Sequence, residues 1–132
     1  MREKPLILIV DDDNDFREVV VTKLRENAFD IVEARDGDEG VQKAKETVPD
    51  LILMDVKMPK MDGIQALVQL KKDPATKDCK IVFLTAFGDP SPLAYKNDQR
   101  FAREMGADDY VVKSEDLSVI VEKVRAVLKR QK

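Results

Sequence analysis

The sequence contains no histidine and only one cysteine among its 132 residues. Without histidine the chain cannot use imidazole for acid–base catalysis or metal binding, and it cannot carry a phosphohistidine. The single Cys79 excludes an internal disulfide and fits a reducing compartment, so we expect a cytoplasmic location. The longest apolar run, from Leu6 to Val10, is too short to cross a bilayer, and we expect neither a signal peptide nor a membrane partner.

An excess of basic residues is also absent, because 26 acidic residues outnumber 23 basic ones and the net charge is -3. Sequence-independent nucleic-acid binding needs a basic surface, so we expect no direct contact with nucleic acid. The hydrophobic content of 43% is enough for a core. No linker, repeat or low-complexity segment divides the chain, which predicts a single domain over residues 1–132.

Five short apolar segments alternate with amphipathic segments along the chain. The segments predicted to be strands are Leu6–Val10, Phe29–Ala34, Leu51–Asp55, Lys80–Thr85 and Tyr110–Val112. Helices are predicted over about 15–27, 38–46, 62–72, a segment of uncertain start that ends at Met105, and 116–129. The first helix is predicted to bury Phe16, Val19, Val20 and Leu24. Such alternation predicts an α/β domain with a parallel sheet and right-handed crossovers.

Polar side chains stand at the carboxyl ends of four of these strands. Asp11 and Asp12 follow the first strand, and Asp55 ends the third. Thr85 ends the fourth, and Lys113 follows the fifth. In a parallel sheet these ends share one edge, where open α/β folds bind their ligands. Clustered carboxylates repel one another unless a hard cation such as Mg²⁺ compensates them. Acids, a metal, a lysine and a hydroxyl together suit phosphoryl transfer to a carboxylate.

This ordered set of motifs resembles the receiver domain of bacterial two-component response regulators, over essentially the whole chain. The resemblance implies a flavodoxin-like, doubly wound sheet of five parallel strands in the order 2-1-3-4-5, with five helices. The motifs that carry it are Asp11-Asp12, Asp55 followed by Met58-Pro59 and Asp62-Gly63, Thr85-Ala86, and Tyr110 three positions before Lys113.

The resemblance also implies a phosphoacceptor and a metal site. Asp55 would accept a phosphoryl group from a sensor histidine kinase or a phosphotransfer protein. Asp11, Asp12 and Asp55 would hold Mg²⁺ or Mn²⁺ together with the backbone carbonyl of Lys57. Weak self-phosphorylation and self-dephosphorylation would follow, so we expect a signalling phosphoacceptor and not a metabolic enzyme.

A switch would read the phosphoryl group. By the resemblance, Lys113, Thr85 and the Ala86 backbone would bind its oxygens, and Tyr110 would move inward with Thr85. That movement would change the face formed by the fourth helix, fifth strand and fifth helix, where a downstream effector would bind. The sequence leaves open whether phosphorylation also drives homodimerisation. The side chains of Lys57 and Phe87 flank the site and are candidates for tuning phosphoryl lifetime.

The chain departs from the family pattern in two places. Ser114 follows Lys113 where the family usually has a proline, commonly in a cis peptide bond. Because a cis bond before a non-proline residue costs roughly 2.5–4 kcal/mol, we expect a trans bond and a re-aimed loop, with a strained cis bond held by its surroundings as the alternative. The stretch between Thr85 and Lys113 is also longer than usual, with the surplus in residues 88–100. An altered partner surface and a tolerated surface insertion are equally open readings of that surplus.

Two other functions remain to be separated from the leading one. A degenerate receiver would act only as a phosphorylation-independent interaction module, and Ser114 is the feature that favours it. A haloacid-dehalogenase-like phosphohydrolase would use Asp11 as nucleophile, but it would leave Asp55 and the motif behind it unexplained. A dead site should bind no Mg²⁺, so a titration separates the first alternative. We expect no output domain in this chain, and whether it is a stand-alone regulator stays open.

Overall fold

The computed structural model describes residues 2–85 and 106–130. Its strands are β1 (Leu6–Val10), β2 (Asp30–Ala34), β3 (Leu51–Asp55), β4 (Lys80–Thr85) and β5 (Asp109–Val112). Its helices are α1 (Asn14–Glu26), α2 (Gly37–Thr47), α3 (Gly63–Lys72) and α4 (Leu117–Lys129). The helix expected to end at Met105 and the longer segment 88–100 lie outside the described residues, so four of the five expected helices are described.

The five strands form one parallel sheet in the order β2-β1-β3-β4-β5. This is the predicted fold and strand order. The chain moves outward from β1 to β2 and then returns past β1 to β3. The carboxyl ends of β1 and β3 therefore flank the point where the winding reverses, which is where sheets of this kind have their crevice.

The central strand β3 is buried on both faces, as its uninterrupted apolar sequence predicts. Ile52 and Met54 face a core shared with α2 and α3. Leu51 and Leu53 face a second core shared with α1 and α4. Because helices cover both sides of this strand, Asp55 at its end is held on a rigid base.

Aspartates cap the N-termini of the four described helices. The Asp13 carboxylate accepts hydrogen bonds from the backbone N–H groups of Asp15 and Phe16, both at 3.1 Å. The Asp116 carboxylate caps α4 by accepting a hydrogen bond from the Ser118 N–H at 2.9 Å. No helix within residues 2–85 and 106–130 is long and apolar enough to span a bilayer.

The buried face of α1 differs from the predicted one. Val19 is 49% exposed, whereas Val21 and Arg17 are buried. Positions 17, 20, 21 and 24 follow the i, i+3, i+4, i+7 spacing of a single helical face, and this face packs on the sheet. The prediction was wrong at Val19 because it counted apolar side chains and gave the arginine no place in the interior.

Candidate functional site

Three carboxylates meet at the carboxyl edge of the sheet. One oxygen from each of Asp11, Asp12 and Asp55 lies within 4.8 Å of the others. Asp11 is fully buried, Asp55 is 5% exposed, and Asp12 faces solvent. The β1–β3 pairing sets this geometry, because Val10 lies beside Met54 and the residues that follow each are acidic. The structure therefore places together the acids that the sequence pointed to.

Lys113 enters the same pocket from the end of β5. Its Nζ lies 2.8 Å from Asp11 Oδ2 and 3.3 Å from Asp55 Oδ2. The ammonium group is also 4.9 Å from the centre of the Phe16 ring, within cation–π range. The Lys113 backbone N–H donates to Thr85 O at 2.7 Å, and the peptide bond to Ser114 is trans, as expected. Serine after Lys113 thus leaves the ammonium group among the acids.

The electrostatics of the pocket make ionisation of Asp55 harder than that of a free carboxylate. Burial raises the pKa of Asp55 from 3.8 to about 7, and the Asp11 carboxylate adds to the rise while Lys113 opposes it. Burial would lower the pKa of Lys113, but its bond to Asp11 and the nearby Asp55 charge outweigh it and raise that pKa. The pocket therefore holds more negative charge than one lysine compensates.

A divalent cation fits this set of atoms. Asp11 Oδ1 accepts a hydrogen bond from the Asp13 N–H at 2.9 Å, whereas among residues 2–85 and 106–130 the buried Oδ2 has its ion pair with Lys113 but no hydrogen bond of ordinary geometry. A buried carboxylate oxygen without a hydrogen bond is costly unless a cation satisfies it. Mg²⁺ takes one or two protein carboxylates and keeps several waters, which suits two buried acids beside an exposed one.

The remaining expected site residues lie in β4, in β5 and in the segments that follow β3 and β4. Thr85 is 3% exposed, and its hydroxyl donates a long bond of 3.5 Å to Val111 O. Tyr110 is half-buried against the core on the α2–α3 side, with Lys123 Nζ 5.8 Å from its ring centre. Lys57 lies exposed in the loop after β3. Ala86 and Phe87 lie outside the described residues.

Gly63 lets the loop after β3 return closely to the site. A Cβ at this position would collide with the Asp55 carbonyl oxygen. The Gly63 N–H donates to Val56 O at 2.8 Å, so α3 starts directly against the end of β3. Only glycine permits this approach, which accounts for the Asp62-Gly63 pair behind the central acid.

One buried side chain at this edge escaped the reading of the sequence. Arg17 in α1 donates from Nη1 to the Asp11 carbonyl oxygen at 2.6 Å, yet an arginine in a helix is usually a solvated charge. The available signal was its spacing, since it lies three, four and seven positions before Val20, Val21 and Leu24. A charge in line with an apolar stripe indicates a buried and partnered group.

The fold and the pocket define a class of protein. A doubly wound parallel sheet carries clustered aspartates after β1 and β3 and a lysine after β5. Such an edge suits a divalent cation and a phosphoryl group on a carboxylate, as in phosphoacceptor signalling domains.

Comparison with known proteins identifies the family. Residues 7–125 match the response regulator receiver domain. The chain is 39% identical over 124 residues to the phosphate regulon transcriptional regulatory protein PhoB of Escherichia coli, covering 94% of this chain and 52% of that protein. It is 35% identical over 130 residues to a "Probable transcriptional regulator ycf27" of Guillardia theta, covering 98% of this chain and 48% of that protein.

Solved structures agree with this match. The Francisella response regulator 1452 receiver domain superposes with a TM-score of 0.82 at 29% identity, covering 98% of this chain and all of that one. The chemotaxis protein CheY4 of Vibrio cholerae gives 0.81 at 26% identity, covering 94% of this chain and 98% of that one.

The chain belongs to the response regulator receiver family, whose general function is phosphorylation-based switching in two-component systems. Receiver domains bind Mg²⁺ at an acidic cluster and interact with histidine kinases and effector domains. The chain spans about half the length of the curated relatives it matches.

Proposed function

We propose that Asp55 of this chain accepts a phosphoryl group, in a Mg²⁺-dependent reaction, from the phosphohistidine of a histidine kinase or phosphotransfer protein. The observation that carries the proposal is the position of Asp55. It ends the doubly buried strand β3, shares a pocket with Asp11 and Asp12, and lies 3.3 Å from Lys113. Residues 1–132 would form one receiver domain, which we expect to act in the cytoplasm.

The transfer would be a displacement at phosphorus. An Asp55 carboxylate oxygen attacks the phosphorus atom, an O–P bond forms, and the N–P bond to the donor imidazole breaks. Lys113 then pairs with the phosphoryl oxygens that replace the Asp55 charge. Asp11, Asp12, Asp55 and the Lys57 backbone carbonyl would hold Mg²⁺. The bound cation would neutralise charge on the phosphoryl oxygens.

Thr85 and Tyr110 would report the phosphoryl group to partners. The Thr85 hydroxyl is buried at the end of β4, and its bond to Val111 O is long at 3.5 Å, so a charged oxygen acceptor would compete well for it. Movement of Thr85 changes the space along β4 and β5, where Tyr110 lies beside Phe83. The Ala86 backbone would add a donor, and Lys57 and Phe87 would tune the phosphoryl lifetime. A downstream effector would bind the face that includes β5 and α4.

Intact mass measured after incubation with acetyl phosphate tests the nucleophile. We expect the wild type to gain one phosphoryl mass with Mg²⁺ and none with EDTA, and Asp55→Asn to gain none. Asp30→Asn is the matched control, because it removes an exposed carboxylate from β2 and should be phosphorylated normally. A modified Asp55→Asn protein would contradict the assignment.

Ser114 keeps a second candidate function open, a receiver that acts only as an interaction module. Calorimetric titration with Mg²⁺ separates the two functions. Binding by the wild type together with the gain in mass would support the switch. The absence of both would favour the interaction module.

A further inference from the structure

Arg17 donates hydrogen bonds to three different residues beside the acidic pocket. Its guanidinium donates from Nη1 to Asp11 O at 2.6 Å, from Nε to Glu33 Oε1 at 3.0 Å, and from Nη2 to Asn14 Oδ1 at 2.6 Å. The residue is 9% exposed although it lies in the first turn of α1, close to the protein surface. A buried guanidinium whose three nitrogen atoms all donate hydrogen bonds is held in one defined position.

These contacts tie the acidic loop to two neighbouring elements. The Asp11 carbonyl is held by Arg17 from α1, and the Asp11 N–H donates to Ala34 O of β2 at 3.1 Å. Glu33, which also belongs to β2, receives the Nε bond, and its carbonyl accepts a bond from Lys43 Nζ of α2 at 2.5 Å. Both backbone groups of Asp11 are therefore fixed, which restricts the direction of its side chain.

We infer that Arg17, held by Glu33, is a positioning residue that orients Asp11 for the divalent cation. The inference rests on the proposed function, since it assumes that Asp11 is a metal ligand. Groups that hold a metal's ligands in place commonly change its affinity by about 10- to 100-fold when they are removed. The bond from Arg17 goes to the backbone carbonyl of Asp11, so we expect its effect to pass through the Asp11 backbone.

A purely structural role for Arg17 makes a different prediction. In a purely structural role, removing Arg17 would leave the Asp11 carbonyl and Glu33 without their partner and would lower the free energy of unfolding. It would not change Mg²⁺ affinity in molecules that remain folded. A positioning role changes the dissociation constant for Mg²⁺ under conditions where every variant is fully folded.

The test is calorimetric titration of the metal-free protein with Mg²⁺ alone, at a temperature well below unfolding. We expect Arg17→Met to raise the dissociation constant by about 10-fold or more, in line with other groups that support metal ligands. Arg17→Lys keeps the charge, but its single ammonium nitrogen cannot reach the three acceptors that three guanidinium nitrogens contact, so it should restore only part of the affinity. Arg25→Met, an exposed arginine of the same helix, should leave the affinity unchanged.

Glu33→Gln provides a second route if Arg17→Met does not fold. Glutamine keeps an acceptor for Nε but removes the charge that anchors the guanidinium, so the affinity should fall by more than about twofold. With acetyl phosphate, the Mg²⁺ concentration at half-maximal rate should rise for both variants, while the rate at saturating Mg²⁺ falls less.

The outcomes separate the inference from the proposed function. No Mg²⁺ binding by the wild type would overturn both. Normal binding by the wild type, with Arg17→Lys and Glu33→Gln within about twofold of it, would overturn the positioning role alone. A loss of affinity in Arg25→Met equal to that in Arg17→Met would also overturn it, because a general charge effect would then suffice.

Discussion

Replacing the central acid with asparagine should make the metal-free protein more stable at neutral and alkaline pH. The pKa of Asp55 is about 7 against an ordinary value of 3.8, because burial and the Asp11 carboxylate outweigh the attraction of Lys113. Ionising Asp55 therefore lowers the stability of the folded protein when no cation is bound. Asparagine is close in shape to the protonated acid and avoids that ionisation.

The magnitude follows from the difference between the two pKa values. At 1.36 kcal/mol per pKa unit, the rise corresponds to roughly 4 kcal/mol once the pH exceeds both values. Relaxation of the side chains and penetration by water reduce this upper limit, so we expect Asp55→Asn to gain roughly 2–4 kcal/mol at pH 8. That gain is a large part of the roughly 5–15 kcal/mol that stabilises a typical domain.

The pH dependence has a definite sign. Because the folded-state pKa of Asp55 is raised, the folded protein binds more protons than the unfolded chain between about pH 4 and 7. The Asp55 contribution to wild-type stability therefore falls as pH rises through this window. The advantage of Asp55→Asn should be small near pH 4, increase up to pH 7, and stay constant above it.

Urea unfolding followed by far-ultraviolet circular dichroism, in EDTA and over this pH range, measures the effect. Asp30→Asn is the control, since its exposed carboxylate should give no comparable gain. A less stable Asp55→Asn protein at pH 8, or a gain that does not change with pH, would refute the reasoning.

Three further perturbations test the same pocket. Mg²⁺ at ten times its dissociation constant should stabilise the wild type by about 1.4 kcal/mol in thermal unfolding, and it should stabilise Asp55→Asn much less. Equal stabilisation of the two proteins would contradict a metal site at Asp55. Lys113→Met should lower the free energy of unfolding by about 3 kcal/mol at pH 8 in EDTA, because Asp11 and Asp55 lose their counter-charge. Lys129→Met, at an exposed position, is the control in urea unfolding, and an equal loss in both variants would refute the pairing. Gly63→Ala should cost about 1–3 kcal/mol and slow phosphorylation by acetyl phosphate, since its Cβ meets the Asp55 carbonyl; an unchanged rate and midpoint would contradict this.

The bounds of three strands were predictable from the sequence pattern alone. Leu6–Val10, Leu51–Asp55 and Lys80–Thr85 begin and end where the sequence predicted. Each is a run of apolar residues long enough for one strand and bounded by residues that stop it. The bounds of the outer strands and of the described helices differ from the prediction by one residue at one or both ends, because terminal hydrogen bonds depend on neighbouring elements.

The buried face of the first helix was not predictable from the sequence pattern. Val19 is exposed and Arg17 is buried, which is the reverse of what their hydrophobicity predicts. The side on which the sheet packs decides which face of α1 is covered. A buried arginine is acceptable only when its donors are satisfied. The three acceptors that satisfy Arg17 are the Asp11 carbonyl after β1, the Glu33 carboxylate in β2 and the Asn14 amide oxygen in α1, and they meet only in the folded chain.

The sequence by itself determined the α/β class, the strand order implied by the family pattern, and the identity of the acids, hydroxyl and lysine that end the strands. These depend on local apolar runs, on the stop signals around them, and on the order in which motifs follow one another. Tertiary structure alone decided that Lys113 pairs with both Asp11 and Asp55, that burial raises the pKa of Asp55, and that Arg17 holds the acidic loop. The physical reason is that distance and desolvation arise from packing between residues far apart in the chain, and no local pattern encodes them.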